Sequence, residues 1–345
     1  MSPAVPIEIP KDKIDGLKRM VNLGARYPTL YHYTRRESIK ELLLSKGLRA
    51  RPTWAFNDTE EYINGLRVAR GQLQRIRKSE KSRTSIASQF FATYGNARPP
   101  VIAVLDNCID LIGHEVNNCG NPAVKIYVAS LSTDCNSEKM LAEYGDCVIR
   151  FNFELPTIAY HTPLPFTSSM LSRVSYSETE FRQAVVPLAF CLSAFERPEN
   201  LKRHKDWLSE RTNEQRVIAA SAWATERLCL LAPNLKRPEY AYEKEWRLKS
   251  AVSTYATDWY PRRAEHSQAS HLPQAAAFDG SSPKRYLQKL LSIGDQKMIV
   301  SLLRVGQTEA DPDLKSWIDS WWASNQSPLR QLLEQLPETW PTPPF

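Results

Sequence analysis

Short runs of apolar residues predict the strands of this chain. The clearest run is 124–131, where apolar side chains alternate onto both faces of an extended chain, so both faces of this strand are predicted to be covered. Further strands are predicted at 29–34, 48–56, 101–105, 147–153, 171–176, 240–252 and 298–305.

Apolar residues three or four positions apart predict the helices. One helix begins at Thr59, with Asp58 as its N-cap and with Leu66, Leu73 and Ile76 as its apolar stripe. Further helices are predicted at 36–45, within 178–231 as an insert of two to four helices, and at 313–323.

Composition and charge narrow the class of protein only a little. The 345 residues are 42% hydrophobic and 24% charged, which argues against a wholly disordered, collagen-like or coiled-coil chain. The formal net charge of +7 favours an anionic ligand or surface but is smaller than expected of a dedicated nucleic-acid binder.

Cysteine usage and the N-terminal sequence bear on the compartment. The six cysteines include no Cys-x-x-Cys pair, so neither a zinc ribbon nor a disulfide scaffold is predicted. The N-terminus lacks the apolar run of a signal peptide, and the longest mainly apolar stretch, 184–195, contains a proline. We therefore expect a soluble, cytoplasmic protein with reduced thiols and no membrane contact.

Common catalytic signatures are absent from the sequence. It contains no GxGxxG after a strand, no GxxxxGK[ST], no HExxH and no GxSxG. The usual motifs of dinucleotide-fold oxidoreductases, P-loop enzymes, zincins and α/β-hydrolases are therefore missing, which argues against these classes. The six histidines never lie three or four positions apart, and we expect no catalytic metal.

The predicted helix that begins at Thr59 is strongly basic toward its end. Such a surface could face phosphates, and a solvated helix face is the alternative explanation. The basic residues are Arg67, Arg70, Arg75, Arg77, Lys78, Lys81 and Arg83.

Two strands carry polar residues that a purely structural strand does not need. His32 lies between Tyr31 and Tyr33, where it could bind a ribose hydroxyl while the aromatic rings flank a planar group. The alternative is a histidine with a structural role, whose ring nitrogens form hydrogen bonds within the sheet. The segment 130–133, Ser-Leu-Ser-Thr, ends the clearest strand with three hydroxyls, which on their own indicate only a strand-to-turn exit.

A third strand carries two carboxylates and a guanidinium. In a regular strand the period of two places Glu243, Glu245 and Arg247 on one face. One interpretation is an ion cluster on the sheet, in which Arg247 offsets the repulsion between the carboxylates. The other is a carboxylate held in place by its neighbours and directed into a cleft.

The order of a histidine strand, a Ser/Thr strand end and a glutamate strand resembles the ADP-ribosyltransferase fold. More specifically, the chain resembles a bacterial family known as domain of unknown function 2971. Thr59 and Leu141 depart from the Pro and Trp that this family often has at those positions. The motifs that carry the resemblance are 30–34, 56–60, 129–132, 140–144, 174–176 and 243–247.

The resemblance covers about residues 28–306 and implies an α+β fold with a split, mixed β-sheet core. We expect an N-terminal segment at 1–27, this domain with a helical insert at about 178–235, and C-terminal helices with a proline-rich tail at 307–345.

The resemblance also implies NAD as substrate and assigns roles to site residues. Cleavage of the bond between nicotinamide and ribose passes through an oxocarbenium-like state, which a fixed carboxylate stabilises without a metal. Glu245 is the candidate for that carboxylate, with Glu243 and Arg247 as supporting or acceptor-side contacts. Ser132 would brace the carboxylate or the ribose, and Asn57 is the rival for this role.

The remaining expected contacts bind NAD. The segment of His32, Tyr33 and Thr34 would hold the adenosine-side ribose, and Tyr144 would stack on a ring.

Three functions follow from these residues. The leading one is an NAD-dependent ADP-ribosyltransferase or NAD glycohydrolase that acts on an unknown protein or nucleic-acid acceptor, as a bacterial toxin, effector or phage-defence protein. The second is a non-catalytic nucleotide or nucleic-acid binding protein. The third is a nuclease in which Glu243 and Glu245 hold magnesium.

Overall fold

The computed structural model combines one β-sheet with a layer of helices, which confirms the α+β prediction. It describes residues 30–35, 38, 49–56, 58–145, 147–152, 167–190, 206, 208–253, 285–286, 299–305 and 320. The helices predicted at 36–45 and 313–323, and both terminal segments, lie wholly or almost wholly outside these residues.

The sheet takes strands from both halves of the chain. Its order is β5-β6-β3-β1-β4-β8, with β2 paired to β3 and to β7. Every pairing between these strands is antiparallel, so the prediction of a mixed sheet is wrong for the described strands. Among the described residues, the parallel contact is an isolated bridge between Ser175 and Leu235. The strands are β1 (Leu30–Thr34), β2 (Arg49–Pro52), β3 (Val124–Ser132), β4 (Cys147–Asn152), β5 (Thr167–Arg173), β6 (Glu245–Ser253), β7 (Arg285–Tyr286) and β8 (Ile299–Val305).

The described helices lie mainly between the early strands and β6. The side chain of Asp58 accepts a hydrogen bond from the backbone of Glu60 (3.1 Å), so the predicted N-cap is confirmed. The α-helices are α1 (Thr59–Lys78), α2 (Glu80–Tyr94), α3 (Val101–Asn117), α4 (Glu138–Tyr144), α5 (Glu178–Phe190) and α6 (Asn213–Leu231), and 3₁₀-helices span Thr53–Ala55, Gly95–Ala97, Ala232–Asn234 and Pro238–Glu243.

The core lies between one face of the sheet and helices α1, α2, α3, α5 and α6. Val124, Ile126 and Val128 of β3 are buried in this core, as the strand pattern predicts. Gly65 of α1 lies so close to the 3₁₀-helix Ala232–Asn234 that an added Cβ would stand 2.1 Å from the carbonyl oxygen of Ala232. The first turns of α1 are thereby fixed against the chain that leads into β6.

Two predictions about elements are wrong. Residues 101–105 begin helix α3 and are not a strand, because Pro100 precedes a run in which Val104, Leu105 and Cys108 continue with helical spacing. A five-residue apolar run does not distinguish a strand from a buried helix. Strand β6 begins at Glu245 and not at 240, because Pro238 starts a 3₁₀-helix there.

Within the described residues, no helix combines the length and the apolar character needed to cross a membrane.

Candidate active site

Strand pairing brings the serine and glutamate candidates together. Ser132 at the end of β3 pairs with Glu245 at the start of β6, and Tyr31 of β1 pairs with Ser132 from the other side. Residues paired directly across antiparallel strands point to the same face. Ser132 and Glu245 therefore share one face, at one end of three neighbouring strands.

Glu243 reaches this face by a turn and not by strand alternation. It is the last residue of the 3₁₀-helix Pro238–Glu243, and Lys244 after it is left-handed, with φ 44° and ψ 46°. The two carboxylates meet, as the sequence pattern indicates, but the assumption of a regular strand through Glu243 is wrong. The turn directs the Lys244 side chain outward, where its ammonium binds Asp134 (2.9 Å).

The carboxylate of Glu245 is held by two cations. Arg247 donates to both of its oxygens, from Nε to Oε1 (2.8 Å) and from Nη2 to Oε2 (3.0 Å). The ammonium of Lys236 lies 3.2 Å from Oε2. Such a bidentate contact fixes both the position and the orientation of the carboxylate.

Arg247 is itself anchored to the helical layer. Its Nη1 donates to the Glu61 carboxylate of α1 and to the carbonyl oxygen of Pro233. Its guanidinium also lies over the ring of Phe56, 5.6 Å from the centroid. The helices therefore hold the arginine that holds Glu245.

Glu243 has a different set of partners. Its Oε1 accepts a hydrogen bond from the hydroxyl of Tyr144 (3.0 Å), and its Oε2 accepts one from Lys236 (2.6 Å). Tyr144, proposed from the sequence as a stacking residue, is thus a hydrogen-bond donor to the carboxylate pair. Its ring remains 37% exposed.

Ser132 braces the backbone and not a carboxylate. Its hydroxyl donates to the carbonyl oxygen of Glu243 (2.7 Å) and accepts from the backbone N–H of Asp134 (2.9 Å). Both groups belong to the turns that bring Glu243 to the sheet end. The side chain thereby fixes the position of Glu243, which differs from the contact that the sequence predicts.

The two carboxylates have opposite pKa shifts. Burial alone would raise the pKa of Glu245, but the charges of Arg247 and Lys236 outweigh burial and lower this pKa to about 2. Burial and the nearby Glu245 charge raise the pKa of Glu243 above its usual value, against the effect of Lys236. Glu245 is therefore a fixed negative charge, and Glu243 takes up a proton more readily than an ordinary glutamate.

Solvent reaches this face of the sheet beside the cluster. Glu243 and Glu245 are each 2% exposed. Ser130, which pairs with Arg247 and so lies on the same face, is exposed.

The structure does not place His32 on this face. Tyr31 pairs with Ser132, so strand alternation turns His32 and Thr34 to the opposite face. The ring of His32 contacts the carbonyl oxygen of Ser130 (3.0 Å, Nδ1), and burial lowers the pKa of the imidazole. β1 lies beside β3 in the sheet, but the expectation that His32 faces one cleft with Ser132 and Glu245 is wrong.

The other predicted NAD-binding residues have different outcomes. Tyr33 lies on the same face as Ser132, but its hydroxyl donates to the carbonyl oxygen of Asp134 (2.7 Å) and accepts from the backbone of Ser137 (3.1 Å), so it holds the loop before α4. Asn57 lies outside the described residues.

Three residues of the cluster were missed in the sequence. Lys236 and Glu61 provide the additional charges, and the hydroxyl of Tyr176 accepts a hydrogen bond from the backbone of Glu245 (3.0 Å). Glu61 directly follows the 56–60 motif, and Tyr176 ends the 174–176 motif, so the motifs gave an indirect signal for both. No local pattern distinguishes Lys236 from the other lysines.

The basic residues of α1 do not form one free phosphate-binding surface. Arg67 pairs with Glu60, Arg70 donates to the carbonyl oxygen of Ile109 (3.1 Å), and Arg77 pairs with Asp106. Three of the arginines are thus used within the protein, which favours the alternative of a solvated helix face.

Comparison with protein-family models, with curated proteins and with solved structures found no match for this chain. Among the described residues, no group of three or more histidine, cysteine, aspartate or glutamate side chains is arranged to hold a metal ion.

Proposed function

We propose that this protein cleaves NAD between nicotinamide and ribose and transfers ADP-ribose to an acceptor, which is a macromolecule or water. The observation that carries the proposal is the meeting of Ser132, Glu243 and Glu245 on one face, at one end of neighbouring strands. The resemblance of the sequence to the ADP-ribosyltransferase fold led to these three residues together with His32, whose side chain lies on the opposite face. The acceptor and the biological setting, whether toxin, effector or phage defence, belong to the same proposal.

The chemistry assigns a separate role to each carboxylate. The C1′–N bond breaks heterolytically, nicotinamide leaves with the bonding pair, and positive charge develops on the ribose. Glu245 is suited to stabilise that charge because it stays ionised and is fixed by Arg247. The acceptor then forms a bond to C1′ and gives up a proton.

Glu243 is suited to receive this proton. A general base acts best when its pKa lies close to the working pH, and burial and Glu245 both raise the pKa of Glu243. Tyr144 and Lys236 orient its two oxygens. The opposite pKa shifts of two adjacent carboxylates support the division into a fixed charge and a base.

The same contacts would also suit a buried ion cluster with no catalytic role, so the first experiment must measure turnover directly. The full chain is incubated with NAD, and nicotinamide release is followed by chromatography with and without EDTA. The proposal predicts release that EDTA does not reduce. No release would contradict the proposal, and cleavage of nucleic acid that requires magnesium would favour the nuclease alternative.

A further inference from the structure

Lys236 is the contact that the two carboxylates share. Its ammonium lies 2.6 Å from Oε2 of Glu243 and 3.2 Å from Oε2 of Glu245. The other oxygens of the pair bind elsewhere, Oε1 of Glu243 to Tyr144 and Oε1 of Glu245 to Arg247. Lys236 is thus the cation that links Glu243 to Glu245.

The backbone fixes Lys236 independently of these side chains. Its N–H donates to the carbonyl oxygen of Ser175 (3.0 Å), and the N–H of Ser175 donates to the carbonyl oxygen of Asn234 (2.7 Å). This short parallel bridge ties the segment between two 3₁₀-helices to the end of β5. The ammonium also lies 4.8 Å from the centroid of the Tyr240 ring. The fold therefore fixes the backbone from which the Lys236 side chain reaches the pair.

Four elements around the pair contribute a charged or titratable group. Helix α1 contributes Glu61, α4 contributes Tyr144, the segment after β5 contributes Tyr176, and β6 contributes Arg247. Three carboxylates, those of Glu61, Glu243 and Glu245, therefore face two cations. Without Lys236 they would face Arg247 alone.

We propose that Lys236 is the positioning residue of this site, which holds Glu243 beside Glu245 and offsets the repulsion between the two carboxylates. The catalytic role of Lys236 rests on the proposed function. Its effect on the titration of Glu243 can be measured without turnover. The charge of Lys236 is retained because the carboxylates outweigh burial and raise the pKa of its ammonium. Its ammonium offsets the repulsion that burial strengthens between the two glutamates.

The test replaces Lys236 by Met and by Arg in the full chain. Glutamate carboxyl groups are labelled with ¹³C, and the resonances of the pair are assigned by their loss in Glu243→Gln and Glu245→Gln. Because an opposite charge within hydrogen-bonding distance lowers a carboxyl pKa by roughly one to three units, Lys236→Met should raise the titration midpoint of Glu243 by about one unit or more. Lys236→Arg should bring the midpoint back toward the wild-type value.

Lys244→Met is the matched control, because Lys244 lies between the two glutamates in sequence but its ammonium binds Asp134 at the surface. It should leave the Glu243 midpoint nearly unchanged. An unchanged midpoint in folded Lys236→Met, or an equal shift in Lys244→Met, would overturn the proposal. If Lys236→Met does not fold, Lys236→Gln, which keeps a hydrogen-bond donor without the charge, is titrated by the same criteria.

The pH profile of nicotinamide release separates this inference from the proposed function. If Lys236 positions the base, the acidic limb of the profile moves to higher pH in Lys236→Met by the same amount as the Glu243 midpoint. A limb that stays in place while the midpoint moves would overturn the positioning role. If the wild-type protein releases no nicotinamide at any pH, the proposed function fails, and the carboxyl titration still decides whether Lys236 controls the pair.

Discussion

Lys244 is left-handed, with φ 44° and ψ 46°, at the point where the 3₁₀-helix Pro238–Glu243 meets β6. This conformation costs free energy in any residue with a side chain, because a Cβ in the left-handed region crowds the following carbonyl oxygen. The turn directs the Glu243 and Glu245 carboxylates toward Lys236 while Lys244 itself faces Asp134. The geometry of the pair thus depends on the backbone conformation at position 244 and not on the Lys244 side chain.

This strain predicts a difference between two small substitutions at the same position. Lys244→Gly relieves the left-handed strain and Lys244→Ala retains it, while both lose the exposed ion pair with Asp134. Lys244→Gly should therefore be more stable than Lys244→Ala by about 1 kcal/mol. Urea unfolding of the two variants measures the difference, and equal midpoints would show that the turn is unstrained.

Lys249 is a buried lysine on the same face of β6 as Glu245 and Arg247. It is fully buried and binds Ser172 (2.8 Å, Oγ) and Asn234 (2.5 Å, Oδ1), and burial lowers the pKa of its ammonium well below the usual value. The unfolded chain keeps this lysine protonated up to about pH 10.4, whereas the folded protein releases the proton at a lower pH. Folding therefore becomes more favourable as the pH rises between these two values.

We expect the stability of the wild type relative to Lys249→Met to increase with pH. Between the folded and unfolded pKa values the slope should approach about 1.4 kcal/mol per pH unit, the value for one proton. Urea unfolding of both proteins from roughly pH 7 to pH 10 tests this slope. A constant difference would mean that Lys249 is charged in the folded protein. Lys78→Met, at an exposed position, is the control for loss of a lysine side chain.

At the scale of elements, the seating of α1 against the 3₁₀-helix Ala232–Asn234 positions the cluster. Glu61 and Pro233, which hold Arg247, belong to these two elements. Gly65 permits their close approach, since a Cβ there would lie 2.1 Å from the carbonyl oxygen of Ala232. The helix and the 3₁₀-helix would have to separate to accept a larger residue.

Gly65→Ala should therefore destabilise the protein by at least about 1–3 kcal/mol, the usual effect of overpacking. Gly71→Ala is the matched control on the same helix, because nothing lies within 4 Å of its added Cβ. It should stabilise the protein by roughly 0.5–1 kcal/mol, since alanine favours helix more than glycine does. Thermal unfolding compares both variants with the wild type. A Gly65→Ala protein that is as stable as the wild type would contradict the packing of α1 described above.

The elements that local pattern predicts well are those with a single consistent signal. The strand at 124–131 and the helix from Thr59 have long apolar patterns and, for the helix, a capping residue, and both predictions are confirmed. The apolar run at 101–105 is equally consistent with a strand and with a buried helix, and tertiary packing selects the helix. The start of β6 was placed too early because alternation in sequence continues through a 3₁₀-helix and a left-handed residue.

At the scale of the whole molecule, the site is assembled from segments far apart in sequence. The pairing of Ser132 with Glu245 depends on sheet register, which local propensity does not determine. The sequence indicated Glu243, Glu245 and Arg247 because they are close together in the chain. Lys236 and Glu61 come from other elements, and the contact of Lys236 with the pair was visible only in the fold.

For His32, the strand was predicted correctly, but the face of the sheet to which its side chain points was not. Its strand was predicted, and the structure places that strand beside β3. A shift of one residue in a strand changes the face of the sheet to which a side chain points, and Tyr31 occupies the face that His32 was expected to share with Ser132. Which face a residue joins depends on register, and no pattern around His32 specifies it.

The measurement that tests the central claim most directly is the turnover of NAD by Glu245→Gln. The substitution keeps the size of the side chain and removes the charge that would stabilise the oxocarbenium-like state. Breaking a buried ion pair also destabilises the fold, by about 3–5 kcal/mol, so unfolding must be monitored in parallel. Glu178→Gln is the control, because Glu178 pairs with Arg182 at the surface, away from the carboxylate pair.

For the folded Glu245→Gln protein, we predict that nicotinamide release falls about a hundredfold to a thousandfold, the usual effect of removing one preorganised electrostatic group. NAD binding, measured by calorimetry, should largely survive, and Glu178→Gln should behave like the wild type. Wild-type turnover in folded Glu245→Gln would contradict the assignment of Glu245 as the stabilising charge. Full activity in both Glu245→Gln and Glu243→Gln would show that this sheet end is not the catalytic site.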